Sequence, residues 1–131
     1  MTDYRARTAS LAPRIAEAAD AIERERRLPP SLLAALHEAG LFRLLLPRAL
    51  GGAELDPPRF VEVIEAIAQA DGSTAWCLCQ NNVCGLVAGW LPPDSARAVF
   101  GAADAVLAWG PGPARAVAAP GGYRVTGSWS F

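Results

Sequence analysis

A long stretch without a single charged side chain limits what this chain can fold into. No Asp, Glu, Lys, Arg or His occurs from Gly72 to Pro93. Either Asp71 or Ser73 can cap a helix at the start of this stretch, which predicts one apolar helix that ends near Trp90. A helix that is apolar on nearly every side is expected to be buried. We therefore expect the other elements to pack around it.

Three amide side chains interrupt this apolar helix at Gln80, Asn81 and Asn82. A buried amide needs hydrogen-bond partners, and either the core or a ligand can supply them. Because Asn81 and Asn82 are about 100° apart around a helix, at most one of them points straight at a ligand. The sequence leaves both sources of partners open.

The composition is that of one ordinary domain with a sizeable core. The 131 residues are 52% hydrophobic, and twelve basic against thirteen acidic residues give a net charge of −1. The arginines are scattered among acids, so no nucleic-acid surface is expected. The apolar run from Ala75 to Leu91 is shorter than the ~20 residues of a membrane span and contains three amides, and the polar first ten residues resemble no secretory signal. We expect a cytoplasmic protein.

The cysteines and the histidine do not form a metal-binding pattern. On a helix, Cys77 and Cys84 would lie about 10 Å apart along the axis. Cys79 would face nearly the opposite side, and His37 belongs to another element. We expect no metal ion, three cysteines that act as small buried hydrophobes, and a His37 on the surface.

Four further helices are predicted from apolar residues at helical spacing and from capping residues. Pro13 is assigned to the first turn of the first of them. Apolar residues at helical spacing are assigned to one face of the third: Phe60, Ile64, Ile67 and Ala68, with Val61 alongside. Between the second and third helices, an apolar run is expected to cross the core in an extended form, followed by a glycine turn. The predicted ranges are 9–27, 30–40, 57–70 (with Asp56 as the N-cap) and 93–100 for the helices, 41–47 for the apolar run and 51–52 for the turn.

The last third of the chain predicts strands. Ala105 to Trp109 is expected to be a strand, and residues 114–119 and 123–131 a hairpin around Pro120-Gly121-Gly122. The chain stops inside an apolar strand, which would be an aggregation-prone edge on its own. We therefore expect the front part of a larger protein. Its fold class is mainly α, with a helical domain over residues 1–101 and the start of a truncated β domain over residues 102–131.

Several short motifs follow one another at a characteristic spacing. In chain order they are Leu28-Pro29-Pro30, Ala39-Gly40-Leu41-Phe42, Leu46-Pro47 with Gly51-Gly52, Asp71-Gly72-Ser73-Thr74-Ala75-Trp76, and Gly122-Tyr123-Arg124-Val125-Thr126-Gly127-Ser128-Trp129-Ser130-Phe131. Together they resemble the N-terminal part of the acyl-CoA dehydrogenase superfamily of flavoproteins. The resemblance implies an acyl-CoA dehydrogenase-like N-terminal helical domain, followed by the first strands of a middle β domain. It also implies a C-terminal four-helix bundle outside this chain, a flavin between the domains, and a homotetramer.

Two departures from the family pattern bear on its function. Acyl-CoA dehydrogenases proper carry a Thr-Glu-Pro-type segment where this chain has Ala108-Trp109-Gly110-Pro111, and Trp129 stands where the family usually has Lys. These departures resemble the flavin-dependent monooxygenase branch. That branch hydroxylates an aromatic or polycyclic small-molecule substrate, with reduced flavin (FAD or FMN) from a separate flavin reductase. The alternatives to a monooxygenase are an acyl-CoA dehydrogenase and a non-catalytic, truncated interaction fragment.

The resemblance also assigns roles to individual residues. No catalytic acid or base is assigned within this chain, because the family's Glu or His lies in the missing C-terminal domain. The implied substrate-binding residues are Trp76 and Asn81. The implied cofactor-binding residues are Trp109, Gly110, Phe131 and Asn82.

Overall fold

The fold consists of helices followed by one β-hairpin. A computed structural model describes residues 2–110 and 112–129, and it confirms the mainly α fold class. The boundary at residue 101 stays a prediction. The elements are α1 (Tyr4–Glu25), α2 (Pro30–Glu38), α3 (Pro57–Ala68), α4 (Gly72–Gly85), α5 (Pro93–Phe100), β1 (Ala114–Ala119) and β2 (Gly122–Gly127).

Helix α1 begins earlier than predicted. The Asp3 carboxylate accepts the N–H of Ala6 at 3.0 Å and so caps the helix at Tyr4. Pro13 consequently lies inside α1, and its assignment to the first turn was wrong. The apolar spacing used for the prediction starts only at Leu11, so it could not detect the polar first turn.

The starts of α2 and α3 are where the sequence placed them. Pro30 and Pro57 occupy the first helical positions, where a missing N–H has no consequence. The Asp56 carboxylate accepts the N–H of Arg59 at 3.0 Å. After α2, Gly40 adopts a left-handed φ of +75° and ends the helix as predicted.

The buried face of α3 is rotated from the predicted one. Phe60, Val63 and Ile67 are its buried residues, whereas Val61 is exposed. The prediction was correct for Phe60 and Ile67, and Ile64 is half-buried against the same core, but it was wrong for Val61 and Ala68, which are exposed. Several apolar side chains surround this helix, and only its packing against α1 and α4 decides which of them are covered.

One main hydrophobic core lies between helices α1 to α4 and the segment that joins α2 to α3. Its members come from five parts of the chain, so no single element could bury its own apolar side. The most deeply buried of them are Ile15, Leu32, Leu36, Leu41, Leu44, Ile67 and Leu78.

The segment between α2 and α3 is buried but not extended. Leu41–Arg43 forms a 3-10 turn and the chain then bends, so the predicted extended form was wrong. His37 is half-buried rather than fully exposed, and its ring stacks on Phe42 with centroids 4.4 Å apart. A turn at this point brings successive apolar side chains into the core from one short segment.

The predicted glycine turn is present. Gly51 has a φ of +77°, and a Cβ on Gly52 would lie 1.8 Å from the carbonyl oxygen of Leu46. The Arg43 guanidinium donates to the Leu50 carbonyl in this turn. It also donates to the carbonyl of Ala102 at 2.9 Å. Arg43 therefore ties the turn to the end of α5.

The predicted hairpin is present, although β2 ends at Gly127 and does not include residues 128–129, whereas the strand predicted before it is not formed. Strands β1 and β2 pair antiparallel from Ala119 opposite Gly122, and Gly121 has the φ of +81° that a tight turn requires. In the described part of the chain, Ala105 to Trp109 forms no strand. That strand prediction was wrong, because the partner strand it would need is not among the described elements.

Helix α4 is shorter and less buried than predicted. It ends at Gly85 and continues as a 3-10 turn, Leu86–Trp90. Trp76 and Trp90 are 66% and 81% exposed, so the expectation of burial on all sides was wrong. Within the described residues, no helix is long and apolar enough to cross a membrane.

Candidate functional site

Both the oxygen and the nitrogen of the Asn82 side chain, on α4, form hydrogen bonds with backbone groups of the protein. Its Oδ1 accepts the N–H groups of Leu44 at 2.7 Å and Leu45 at 3.2 Å. Its Nδ2 donates to the carbonyls of Leu41 at 2.8 Å and Leu78 at 2.9 Å. Asn82 is 1% exposed, and these four bonds use its hydrogen-bonding groups. Its predicted contact with a cofactor stays a prediction, while its observed bonds shape the segment between α2 and α3.

Asn81 joins α4 to two other parts of the chain. Its Nδ2 donates to the Phe42 carbonyl at 2.6 Å, and its Oδ1 accepts the N–H of Leu107 at 2.8 Å. Of the two sources of partners that the sequence left open, core groups therefore supply those of both asparagines. The role of Asn81 in binding substrate stays a prediction.

An apolar groove lies beside these amides, on the side of α4 that the core does not cover. Its volume is about 410 Å³. Three stretches of chain form it: the end of α4 with the turn after it, α5, and the segment that carries Leu107. The lining residues are Val83, Cys84, Val87, Leu91, Val99, Phe100, Leu107, Ala108 and Trp109.

Among the described residues, no charged side chain lines the groove. The polar groups among its lining side chains are the Cys84 thiol and the Trp109 indole N–H, and burial raises the pKa of the thiol above its ordinary value. The thiol is therefore protonated at neutral pH. A groove of this kind favours a neutral, apolar or aromatic group.

Two other concavities fit such a group less well. They lie near the N-terminus, with volumes of about 390 and 500 Å³, and charged residues such as Asp3, Glu54 and Arg59 help to line them. We therefore take the apolar groove as the candidate site.

The structure brings only some of the predicted site residues together. Trp109 lines the groove with 59% of its surface exposed, and the half-buried Gly110 follows it. Asn81 bonds the same segment at Leu107. Trp76 lies in the first turn of α4, outside the groove lining. Phe131 lies outside the described residues. The binding roles of all these residues stay predictions.

Sequence reasoning missed most of the groove. Val83 and Val87 were placed inside a helix expected to be buried all round, and Val99 received no role. The available signal was the spacing of Val83 and Val87, which puts them on one helix face away from Leu78. Recognising the groove also required knowing that α5 folds back beside that face.

A comparison with family models supports the resemblance seen in the motifs. The family described as acyl-CoA dehydrogenase, N-terminal domain, matches residues 5–90. This range includes all of α2, α3 and α4 and confirms the suspected superfamily.

Characterised relatives belong to the oxygenase class. The chain is 34% identical to the flavin-dependent monooxygenase, oxygenase subunit HsaA, of Mycobacterium tuberculosis, over 93% of this chain and 32% of that protein. It is 35% identical to the FADH2-dependent resorcinol hydroxylase, oxygenase component, of a Rhizobium species, over 95% of this chain and 31% of that protein. The chain thus spans about one third of the length of these relatives.

A solved structure shares the fold. XiaF from a Streptomyces species, in complex with FADH2 and glycerol, superposes with a TM-score of 0.85 at 33% identity. The match covers 96% of this chain and 32% of XiaF. The similarity extends beyond the helices matched by the family model, through the groove segment and the hairpin.

Proposed function

The chain belongs to the acyl-CoA dehydrogenase family through its N-terminal domain, and on that premise we propose that it is part of the oxygenase component of a two-component flavin-dependent monooxygenase. The reaction would hydroxylate an aromatic or polycyclic substrate. The observation that carries the proposal is the similarity, along nearly the whole chain, to proteins named as oxygenase components.

The groove fits the apolar part of a flavin or of an aromatic substrate. Its lining side chains are hydrocarbon, indole or protonated thiol. A planar ring could therefore enter the groove without stripping water from any charged side chain. Trp109 offers an exposed indole for stacking, with ring centroids expected at roughly 4.5–7 Å. Gly110 would let the backbone approach a ring closely.

In this proposal the chain binds and shields, and the cofactor supplies the redox chemistry. Bound reduced flavin would activate oxygen for transfer to an electron-rich ring. Val83, Val87 and Val99 would keep water away from that reaction. Trp109 would hold the ring of the flavin or the substrate, and the exposed Trp76 would meet the substrate from the start of α4. No acid or base within this chain is assigned to proton transfer.

Further properties of the whole protein follow from the same proposal. A separate reductase would supply reduced flavin, either FADH2 or FMNH2. The full-length protein would be a homo-oligomer in the cytoplasm, and residues 102–131 would begin its β domain.

Two measurements test the proposal. Anaerobic titration of this chain with FADH2 or FMNH2, followed by equilibrium dialysis, should detect binding. In a full-length protein that contains this chain, oxygen uptake with a flavin reductase and a phenolic substrate should exceed dye reduction by acyl-CoA. Dye reduction without oxygen uptake would establish the acyl-CoA dehydrogenase alternative. A full-length protein that binds no flavin would establish a non-catalytic role.

A further inference from the structure

The segment that carries Trp109 is anchored at Leu107. The Leu107 side chain packs against a small second core formed by Leu46, Ala88 and Phe100. On either side of Leu107, Val106 and Trp109 are more than half exposed. The position of the segment therefore depends on what holds Leu107.

Asn81 supplies a polar anchor for Leu107. The side-chain oxygen of Asn81 accepts the Leu107 N–H at 2.8 Å across 26 residues of sequence. The amide nitrogen of Asn81 is held in turn by the Phe42 carbonyl at 2.6 Å. Since the Oδ1 and Nδ2 atoms belong to one planar group, the bond to Phe42 fixes the direction from which Leu107 must approach.

Because Asn81 is buried, its bond to Leu107 favours one position of the 105–109 segment. Asn81 is 5% exposed, so no bulk water is available to replace the Leu107 N–H as a partner. A displaced Leu107 would leave the Asn81 oxygen without a partner in the core. The bond thus favours one position of the segment over others with similar apolar contacts.

We propose that Asn81 is a positioning residue, which sets the place of the 105–109 segment and thereby orients Trp109 at the groove. The expected effect of Asn81 on flavin binding rests on the proposed function. The positioning of the segment rests only on the hydrogen bond to Leu107. It assigns Asn81 a different task from direct contact with substrate. Asn82, one position further along α4, holds the segment between α2 and α3 and does not bond Leu107.

Two substitutions at Asn81 separate positioning from general stability. Asn81→Ala removes both bonds and leaves the Leu107 N–H without its acceptor. Asn81→Asp keeps an oxygen for Leu107, but places a carboxylate oxygen against the Phe42 carbonyl. The Asp variant is therefore expected to be at least as destabilised as the Ala variant while keeping the Leu107 bond.

Amide hydrogen exchange of this chain, followed by NMR, tests the proposal directly. We expect the Leu107 amide to exchange at least tenfold faster in Asn81→Ala than in the parent, and within about threefold of the parent in Asn81→Asp. Rates are normalised to the Ile15 amide in α1, which corrects for any change in global stability. Gln80→Ala, a neighbouring amide on α4, is the matched control and should leave Leu107 unchanged.

The outcomes are distinct. Equal Leu107 exchange in the parent and Asn81→Ala would overturn the positioning role. So would equally fast normalised exchange in both Asn81 variants, because an acceptor oxygen at position 81 would then not be what protects the Leu107 amide. A parallel titration with FMNH2 should show at least fivefold weaker binding for Asn81→Ala and rescue by Asn81→Asp. If the parent bound no flavin, cofactor binding by this chain would fail, while the exchange data would still decide the role of Asn81.

Discussion

The side-chain oxygen of Asn82 accepts the backbone N–H of Leu44 at 2.7 Å, although the two residues are 38 positions apart in the sequence. Through this bond, a helix amide fixes the backbone of the buried bend that follows the 3-10 turn at Leu41–Arg43. An irregular buried segment leaves N–H and C=O groups that its own residues do not satisfy. A well-placed amide satisfies both kinds of group.

Replacing Asn82 should therefore destabilise the fold strongly. In Asn82→Ala, the N–H groups of Leu44 and Leu45 lose their acceptor in the core, and we expect a loss of about 3 kcal/mol of unfolding free energy. Urea unfolding followed by circular dichroism measures it. Gln80→Ala on the same helix is the control. Equal urea midpoints for the two variants would contradict the role of Asn82.

Two glycine substitutions should have opposite effects. In Gly52→Ala the new Cβ would lie 1.8 Å from the Leu46 carbonyl oxygen, and we expect a loss of about 3 kcal/mol from the forced backbone shift. In Gly72→Ala no atom lies within 4 Å of the new Cβ. There we expect a gain of up to about 1 kcal/mol, since alanine favours the helix. Thermal unfolding distinguishes the two, and a Gly52→Ala midpoint equal to that of the parent would refute the predicted clash.

The Asp71 cap should stabilise the start of α4. Its carboxylate accepts the N–H of Thr74 at 2.6 Å, so Asp71→Ala should lower the unfolding free energy by about 1 kcal/mol. Asp71→Asn keeps an oxygen acceptor and should lose less than half of that. If both variants lost equal stability, the charge rather than the hydrogen bond would be responsible. Chemical unfolding curves provide the comparison.

The reactivity of Cys77 should depend on pH and on Asp71. Cys77 is an exposed residue, so the expectation that it acts as a buried hydrophobe was wrong. Partial desolvation of its thiol still raises the pKa above its ordinary 9.0, and the negative charge of Asp71 raises it further. Alkylation requires the thiolate, so its rate should still be rising at pH 9. Asp71→Asn removes the charge and should shift the rate profile to lower pH. Iodoacetamide labelling, read by peptide mass spectrometry, checks this, and an unshifted profile would argue against the influence of Asp71.

Trp109 should contribute more to flavin binding than Trp90, the exposed indole at the end of the 3-10 turn that follows α4. Loss of a stacking partner is expected to weaken binding about three- to tenfold in Trp109→Leu. Trp90→Leu removes an indole that is 81% exposed and outside the groove lining, so it should leave the affinity unchanged. Fluorescence titration with FMN compares the two variants. Equal affinities would remove Trp109 from the proposed cofactor site.

Several parts of the fold could be predicted because short-range interactions decide them. The capped starts of α3 and α4 and the proline start of α2 depend on atoms within three or four residues. The same holds for the turn at Pro120-Gly121. The motifs also led to the correct family. The groove could not be predicted, because its three walls come from separate stretches of chain.

The sequence by itself determined the order of the helices, the cap of α3 and the hairpin turn, and it placed the amides of Asn81 and Asn82 on an uncharged helix. The tertiary structure decided what those amides bind and which face of α4 is left open. The physical reason is distance along the chain: the partners of Asn81 and Asn82 lie up to 41 positions away. The apolar pattern of a single helix does not predict which neighbouring elements will cover it.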